Sequence, residues 1–156
     1  MASDKFDSQS APSLPDVGRR PIVITNGPIS ADQKRTVLCI DDDEAVLGYE
    51  KALLERSGYA VLLASSPEQG LRLATMCKCD AVLLDYNMPG MNGHQVAREI
   101  KRVRPDLMVI MLSGSSVPTA ALECVDAFVP KLEASRQLLP MIAEFLHPEH
   151  LVASAR

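Results

Sequence analysis

From Thr36 onward, short apolar runs alternate with longer segments in which apolar residues recur at helical spacing. A parallel sheet covered by helices reads this way in sequence, so the expected class is an α/β, doubly wound fold. The first strand is expected over 36–40. Acidic residues follow it, then a helix over about 44–57 that presents Val46, Tyr49, Leu53 and Leu54 on one face and stops at Gly58. A second strand over 61–64 leads into Ser66-Pro67, an N-capping hydroxyl followed by proline at the first helical position, and so into a helix reaching about residue 77. The third strand, 81–84, is apolar throughout and ends at Asp85, while residues 86–93 are rich in Pro, Gly and Asn and read as a loop. A helix over about 93–103 turns Val96, Ile100 and Val103 inward and Arg98, Glu99, Lys101 and Arg102 to solvent, and Pro105 ends it. The fourth strand runs over 107–112 to Ser113 and the fifth over 127–129 to just before Lys131; the residues between, 117–124, have room only for a short helix. The last helix falls within 134–146. Pro140 inside it lacks a backbone donor, which predicts a kink or a late start.

Residues 1–34 break this pattern. Pro12, Pro15, Pro21 and Pro28 stand among many Ser, Asp and Gly, and the only apolar cluster is Ile22-Val23-Ile24. A disordered N-terminal extension is expected there, ahead of one domain over 35–147 and a short tail over 148–156. A chain of 156 residues has room for one such domain but not for two. Its net charge of −4 supplies no basic field for a phosphate backbone, so DNA binding is not expected. No stretch has signal-peptide character or approaches the roughly 18 apolar residues of a spanning helix, so membrane insertion is not expected and a cytoplasmic location is the default. Cys39, Cys77, Cys79 and Cys124 lie among apolar positions without paired CxxC clusters, which predicts reduced, structural thiols. His94 and the histidines near the C-terminus have no metal-site pattern and are expected as exposed imidazoles.

In a doubly wound sheet the functional crevice lies outside the carboxyl ends of the strands. Here those ends carry Asp41, Asp42 and Asp43 after the first strand, Asp85 after the third, Ser113 after the fourth and Lys131 after the fifth. Carboxylates forced together raise one another's pKa unless a cation intervenes, and a hard divalent ion with oxygen ligands suits the set, which makes Mg2+ the natural candidate. A carboxylate can attack phosphorus to form an aspartyl phosphate if the charge on the phosphoryl oxygens is neutralised, a task for Mg2+ and Lys131. A short hydroxyl at Ser113 can then turn toward the new anion and move the loop that follows.

The segments VLCIDDDEAV, LLDYNMPGMNG, VIMLSG and AFVPK, in this order, closely resemble the motifs of response-regulator receiver domains, over about residues 36–146. The resemblance implies a flavodoxin-like five-stranded sheet of order 2-1-3-4-5. It implies that Asp41 and Asp42 are the metal-binding acidic pair, that Asp85 is the phosphoacceptor and that the backbone carbonyl of Asn87 completes the metal shell. Ser113 corresponds to the switch hydroxyl, Lys131 to the lysine that pairs with the phosphoryl group, and Phe128 to the aromatic residue whose rotamer follows activation; Asp43 is a bystander at the helix start. The implied function is signalling, with catalysis confined to the domain's own phosphorylation and dephosphorylation. A histidine kinase or a histidine phosphotransfer protein would be the donor and a downstream protein the target; whether phosphorylation drives a homodimer stays open. Only a short tail ending LVASAR follows, so a stand-alone receiver without an effector domain is expected.

Three departures from the family pattern stand out. The interval from Ser113 to Lys131 is about one helical turn short, and the deficit falls on the fourth helix. Leu132 follows Lys131 where the family commonly has proline in a cis peptide; a cis bond to a non-proline residue costs about 2.5–4 kcal/mol, so a trans bond and a rearranged loop are expected. Gly114 after the switch serine leaves the acyl phosphate open to donors and water, which predicts brisk exchange. Two other function classes stay in view. One is a receiver-like interaction module that works without phosphorylation. The other is a haloacid-dehalogenase-like phosphohydrolase with Asp41 as nucleophile and Asp43 as acid-base, although neither a cap nor a downstream acidic pair is apparent. A calcium loop counted from Asp41 fails, because Ala45 and Val46 fall where a ligand and a turn glycine belong.

Overall fold

Successive residues of the central strands face opposite ways, and both faces are buried. A computed structural model describes residues 34–149 and shows how this is achieved. Strands β1 (Thr36–Ile40), β2 (Ala60–Ala64), β3 (Ala81–Asp85), β4 (Met108–Ser113) and β5 (Ala127–Pro130) form one parallel sheet in the order β2-β1-β3-β4-β5. Val37, Cys39, Leu83, Ile110 and Leu112 pack with Leu47, Leu54, Leu138 and Ile142 of helices α1 (Glu44–Arg56) and α5 (Ala134–Leu146). Leu38, Ile40, Val82, Leu84 and Val109 face the other way, against Ala74, Val96, Ala97 and Ile100 of α2 (Pro67–Met76) and α3 (Gly93–Val103). The continuous apolar runs of the sequence thus serve two cores at once.

Local signals set the element ends. Ser66 caps α2 by accepting from Gln69 N–H, with Pro67 at the first helical position, as expected. Asn92 and Gln95 form a reciprocal capping box at the start of α3. Gly70 lies so close to β1 that an added Cβ would meet Ile40 Cδ1 at 2.6 Å, which lets α2 sit tightly on the sheet. The Arg104 guanidinium closes the far end of that layer, donating to the carbonyls of Ala74 and Cys79 at 3.0 Å each.

The expected fold class and strand order hold, and several local expectations are corrected. On α1 the inner face is Leu47, Glu50 and Leu54, whereas Tyr49 is 51% exposed and Val46 only half-buried. Val103 is exposed, because it is the last residue of α3 and lies past the sheet. Lys101 is half-buried rather than solvated, bonded to Asp126 at 2.6 Å and to the Leu107 carbonyl at 2.8 Å. Helix α5 starts at Ala134, directly after a 3-10 turn over Lys131–Glu133, and runs through Pro140; the late start does not occur, because Leu138, Ile142 and Leu146 hold the helix on the sheet. His94 and His147 are half-buried, not exposed: His94 Nδ1 is shielded without a hydrogen-bond partner, and His147 lies beside the Tyr59 ring with centroids 6.0 Å apart.

The fourth helix, α4, is the four-residue Thr119–Leu122, as short as expected. No cis peptide occurs among the described residues, so the Lys131–Leu132 bond is trans, and Leu132 is left 94% exposed. All four cysteines are free. No described helix is long and apolar enough to cross a membrane. The extension expected over 1–34, apart from Lys34, and the tail beyond residue 149 lie outside the described residues.

Candidate functional site

The register of the sheet assembles the acidic site. Ile40 of β1 pairs with Leu84 of β3, so Asp41 leaves its strand beside Asp85. Asp85 in turn pairs with Leu112 of β4, and Ser113 one residue on pairs with Pro130 of β5, so Lys131 follows at the same edge. Asp41 is 1% exposed and Asp85 3%, while Asp42 is open to solvent. One carboxylate oxygen from each of Asp41, Asp42 and Asp85 lies within 4.8 Å of the others. Asp43 points elsewhere: it is the N-cap of α1, accepting from the N–H groups of Ala45 and Val46, while its own N–H donates to Asp41 Oδ1 at 2.8 Å. That bond orients Asp41 and commits Asp43 to the helix end, so Asp43 is less of a bystander than expected.

Lys131 bridges the two buried acids, with Nζ 2.7 Å from Asp41 Oδ2 and 2.9 Å from Asp85 Oδ1. Burial works against the Lys131 charge, but the bonds to Asp41 and Asp85 outweigh it and hold the ammonium above the ordinary lysine range. Burial also pushes the Asp85 carboxyl up, against the bond from Lys131; repulsion from Asp41 adds to the rise and the backbone N–H of Asn87 opposes it. The resulting site is an internal ion triad in which one ammonium serves two carboxylates.

On the other side of Asp85, Ser113 is buried and makes no hydrogen bond to Asp85. Its Oγ accepts from Asn87 Nδ2 at 3.3 Å and from Ser115 N–H at 3.1 Å. The Asn87 backbone carbonyl, an expected metal ligand, accepts no hydrogen bond from any described residue and is free for that task. Phe128 is half-buried on β5. Gly114, next to Ser113, is exposed, and an added Cβ there would meet nothing within 4 Å.

Two further side chains, Ser115 and Glu50, stand at the site without a motif of their own in the sequence. Ser115 stands two residues past the strand end and joins the Ser113 network directly. Glu50 is 4% exposed on the inner face of α1, with Oε2 lacking any hydrogen-bond partner. Burial, repulsion from Asp41 and a smaller repulsion from Asp85 push its carboxyl up to about 7, against a bond to the Cys39 thiol and the charge of Lys131. Its spacing of three and four residues from Leu47 and Leu54 is the signal that could have found it.

The chain is similar to known proteins in sequence and in fold. Residues 37–143 match the Response regulator receiver domain family. The response regulator MprA of Mycobacterium leprae is 30% identical over 114 residues, which is 70% of this chain and 50% of that protein; the chain thus spans about half the length of the curated relatives it first matches. A CheY-like receiver domain protein from Methanospirillum hungatei superposes with a TM-score of 0.69 at 29% identity, over 72% of this chain and 93% of that one. The response regulator TrrA of Thermotoga maritima, solved with Mg2+ and a beryllium fluoride, gives a TM-score of 0.69 at 27% identity, over 72% and 99% of the two chains; it has also been solved in complex with the histidine kinase ThkA. With acids, hydroxyl and lysine on the strand ends where the resemblance had put them, the chain belongs to the response regulator receiver domain family.

Proposed function

We propose that this receiver accepts a phosphoryl group on Asp85 from the phosphohistidine of a histidine kinase or phosphotransfer protein, in the presence of Mg2+, and passes the signal to another protein through a changed surface. The observation that carries the reading is the meeting of Asp41, Asp42 and Asp85 oxygens within 4.8 Å, with Lys131 Nζ 2.9 Å from Asp85. This is a hard oxygen donor set of the kind Mg2+ takes, and Asp41, Asp42, Asp85 and the Asn87 carbonyl would hold the ion. When bound, it supplies charge neutralisation for the phosphoryl oxygens.

The chain's own residues do the rest. A carboxylate oxygen of Asp85 forms the bond to phosphorus as the phosphorus–nitrogen bond of the donor histidine breaks, and the imidazole leaves with the bonding pair and takes up a proton. Lys131 already lies against Asp85 and pairs with the incoming anion. The Ser113 hydroxyl is the nearest switch group, and Phe128 on the neighbouring strand is the aromatic that would follow it. The kinase partner is supported by the complex known for TrrA. Asp43, tied up as an N-cap, is not free for the acid-base role of a phosphohydrolase.

Intact-protein mass after incubation with Mg2+ and acetyl phosphate tests the reading, beside Asp85→Asn and a metal-free control. A phosphoryl adduct that needs both Mg2+ and Asp85 is the expected result. No adduct on the wild type, from acetyl phosphate or from a phosphohistidine donor, overturns it in favour of a module that works without phosphorylation.

A further inference from the structure

The switch hydroxyl is already fully used before any phosphoryl group arrives. A serine oxygen accepts two hydrogen bonds and donates one. Ser113 Oγ accepts from Asn87 Nδ2 at 3.3 Å and from the Ser115 backbone N–H at 3.1 Å, which takes both lone pairs. The acceptor left for its own proton is Ser115 Oγ, at 3.3 Å. Ser115 Oγ also receives the Asn87 carboxamide, at 3.0 Å, and its own proton is left to solvent, since Ser115 is exposed. Two hydrogens of one carboxamide and two hydroxyls thus close a ring over the strand end, and Ser113 gives no hydrogen bond to Asp85.

We propose that Ser115 is a positioning residue: its Oγ accepts the proton of the Ser113 hydroxyl while the Asn87 carboxamide donates to both hydroxyls, which holds Ser113 in the unphosphorylated orientation, so that the phosphoryl group on Asp85 competes with Ser115 for Ser113. The proposal rests on the receiver reading above. It explains why a solvent-facing serine, outside any strand or helix, sits within bonding distance of a buried one. It also gives the Asn87 side chain a task separate from that of its backbone carbonyl.

If Ser115 is a competitor, removing its hydroxyl favours the phosphoryl-engaged state. Beryllofluoride with Mg2+, a mimic of the aspartyl phosphate, is the probe, titrated by NMR into the full chain. Ser115→Ala keeps the backbone N–H and is expected to bind the mimic roughly two- to tenfold more tightly than wild type, the effect of one ordinary hydrogen bond. Ser115→Thr, which restores a hydroxyl, should return toward the wild-type affinity. Ser116→Ala, on a neighbouring exposed serine with no hydrogen bond of its own side chain, should leave it unchanged. A second readout needs no phosphoryl mimic. In the free protein, Ser115→Ala should move one of the two Asn87 Nδ2 proton resonances toward its unbonded position and leave the other in place. Equal or weaker binding by Ser115→Ala, while wild type binds the mimic in an Asp85-dependent way, overturns the role of Ser115 and leaves the receiver reading standing. Absence of mimic binding by the wild type overturns both.

Discussion

Lys131 Nζ lies 2.7 Å from Asp41 Oδ2, so the lysine expected to serve the phosphoryl group is, in the unphosphorylated protein, also the counter-ion of an expected metal ligand. A divalent ion among Asp41, Asp42 and Asp85 has to share those oxygens with an ammonium. Lys131→Met keeps most of the apolar stem and removes the charge. Mg2+ should then bind roughly tenfold more tightly, about 1.4 kcal/mol. Without Mg2+ the same variant should be less stable by about 3–5 kcal/mol, because two buried carboxylates lose their partner. Calorimetric titration and denaturant unfolding with and without Mg2+ check both signs; weaker Mg2+ binding by the variant contradicts the competition.

Glu50 ties stability to pH. Its ordinary value is 4.5 and its folded value about 7, so between these the folded protein keeps a proton that the unfolded chain has released. The stability this gives is fully present below about 4.5 and is lost as pH rises through about 7. At about 1.4 kcal/mol per pH unit, on the order of 3 kcal/mol is involved. Glu50→Gln cannot ionise and should flatten that part of the profile. Urea unfolding of both proteins at pH 5, 6, 7 and 8 without Mg2+ should show curves that diverge upward in pH; parallel curves would mean that Glu50 does not hold a proton.

Gly93 packs directly against the backbone of Asp85, the proposed phosphoacceptor. A Cβ there would fall 2.5 Å from the Asp85 carbonyl oxygen and 2.8 Å from Tyr86 Cα, both backbone atoms that cannot swing aside. Gly93→Ala should cost about 1–3 kcal/mol as overpacking and reduce adduct formation by displacing Asp85. Gly48, in an exposed part of α1 with nothing within 4 Å of an added Cβ, is the matched control. Gly48→Ala should stabilise by about 0.5–1 kcal/mol through helix propensity. A tolerated Gly93→Ala with full labelling would show that the loop after β3 can shift as a body.

The open position beside Ser113 gives the proposed phosphorylation a testable lifetime. With nothing within 4 Å of an added Cβ at Gly114, no side chain at that position shields the loop after Ser113, and on the proposed reading water and donors would reach an acyl phosphate on Asp85 readily. The wild-type adduct should decay well within an hour after acetyl phosphate is removed, and Gly114→Val should lengthen its life several-fold. A wild-type adduct that persists for many hours in purified protein rules this out.

Much of the fold was legible because strands buried on both faces leave continuous apolar runs, and because the residue after each run is polar for a reason. Asp41, Asp85, Ser113 and Lys131 could be picked out by that position alone, and the sheet brings them to one edge. Helix faces were harder. Tyr49 has the composition of a core residue and Glu50 that of a surface one, yet the rotation of α1, fixed by Asp43 at its N-terminus, puts Glu50 in and Tyr49 out. Ser115 gave no signal, because its meaning depends on the path of a loop with no periodicity. Pro140 did not delay the helix: the apolar contacts of Leu138 and Ile142 outweigh one missing backbone bond.

The brevity of α4 has an energetic side. A single turn with Ala121 as its only buried residue, and no side-chain cap at its start, has almost nothing of its own to lose on rearrangement. One charge-assisted hydrogen bond from Ser113 to a phosphoryl oxygen is worth about 1.5–3 kcal/mol. Against a rigid helix that would be a small perturbation. Against this segment it is enough to change the majority conformer by roughly one to two orders of magnitude in population. On the proposed reading, a surface at α4 held this weakly responds readily to the site, and substitutions that lengthen or cap α4 should blunt the response even while the acidic site stays intact.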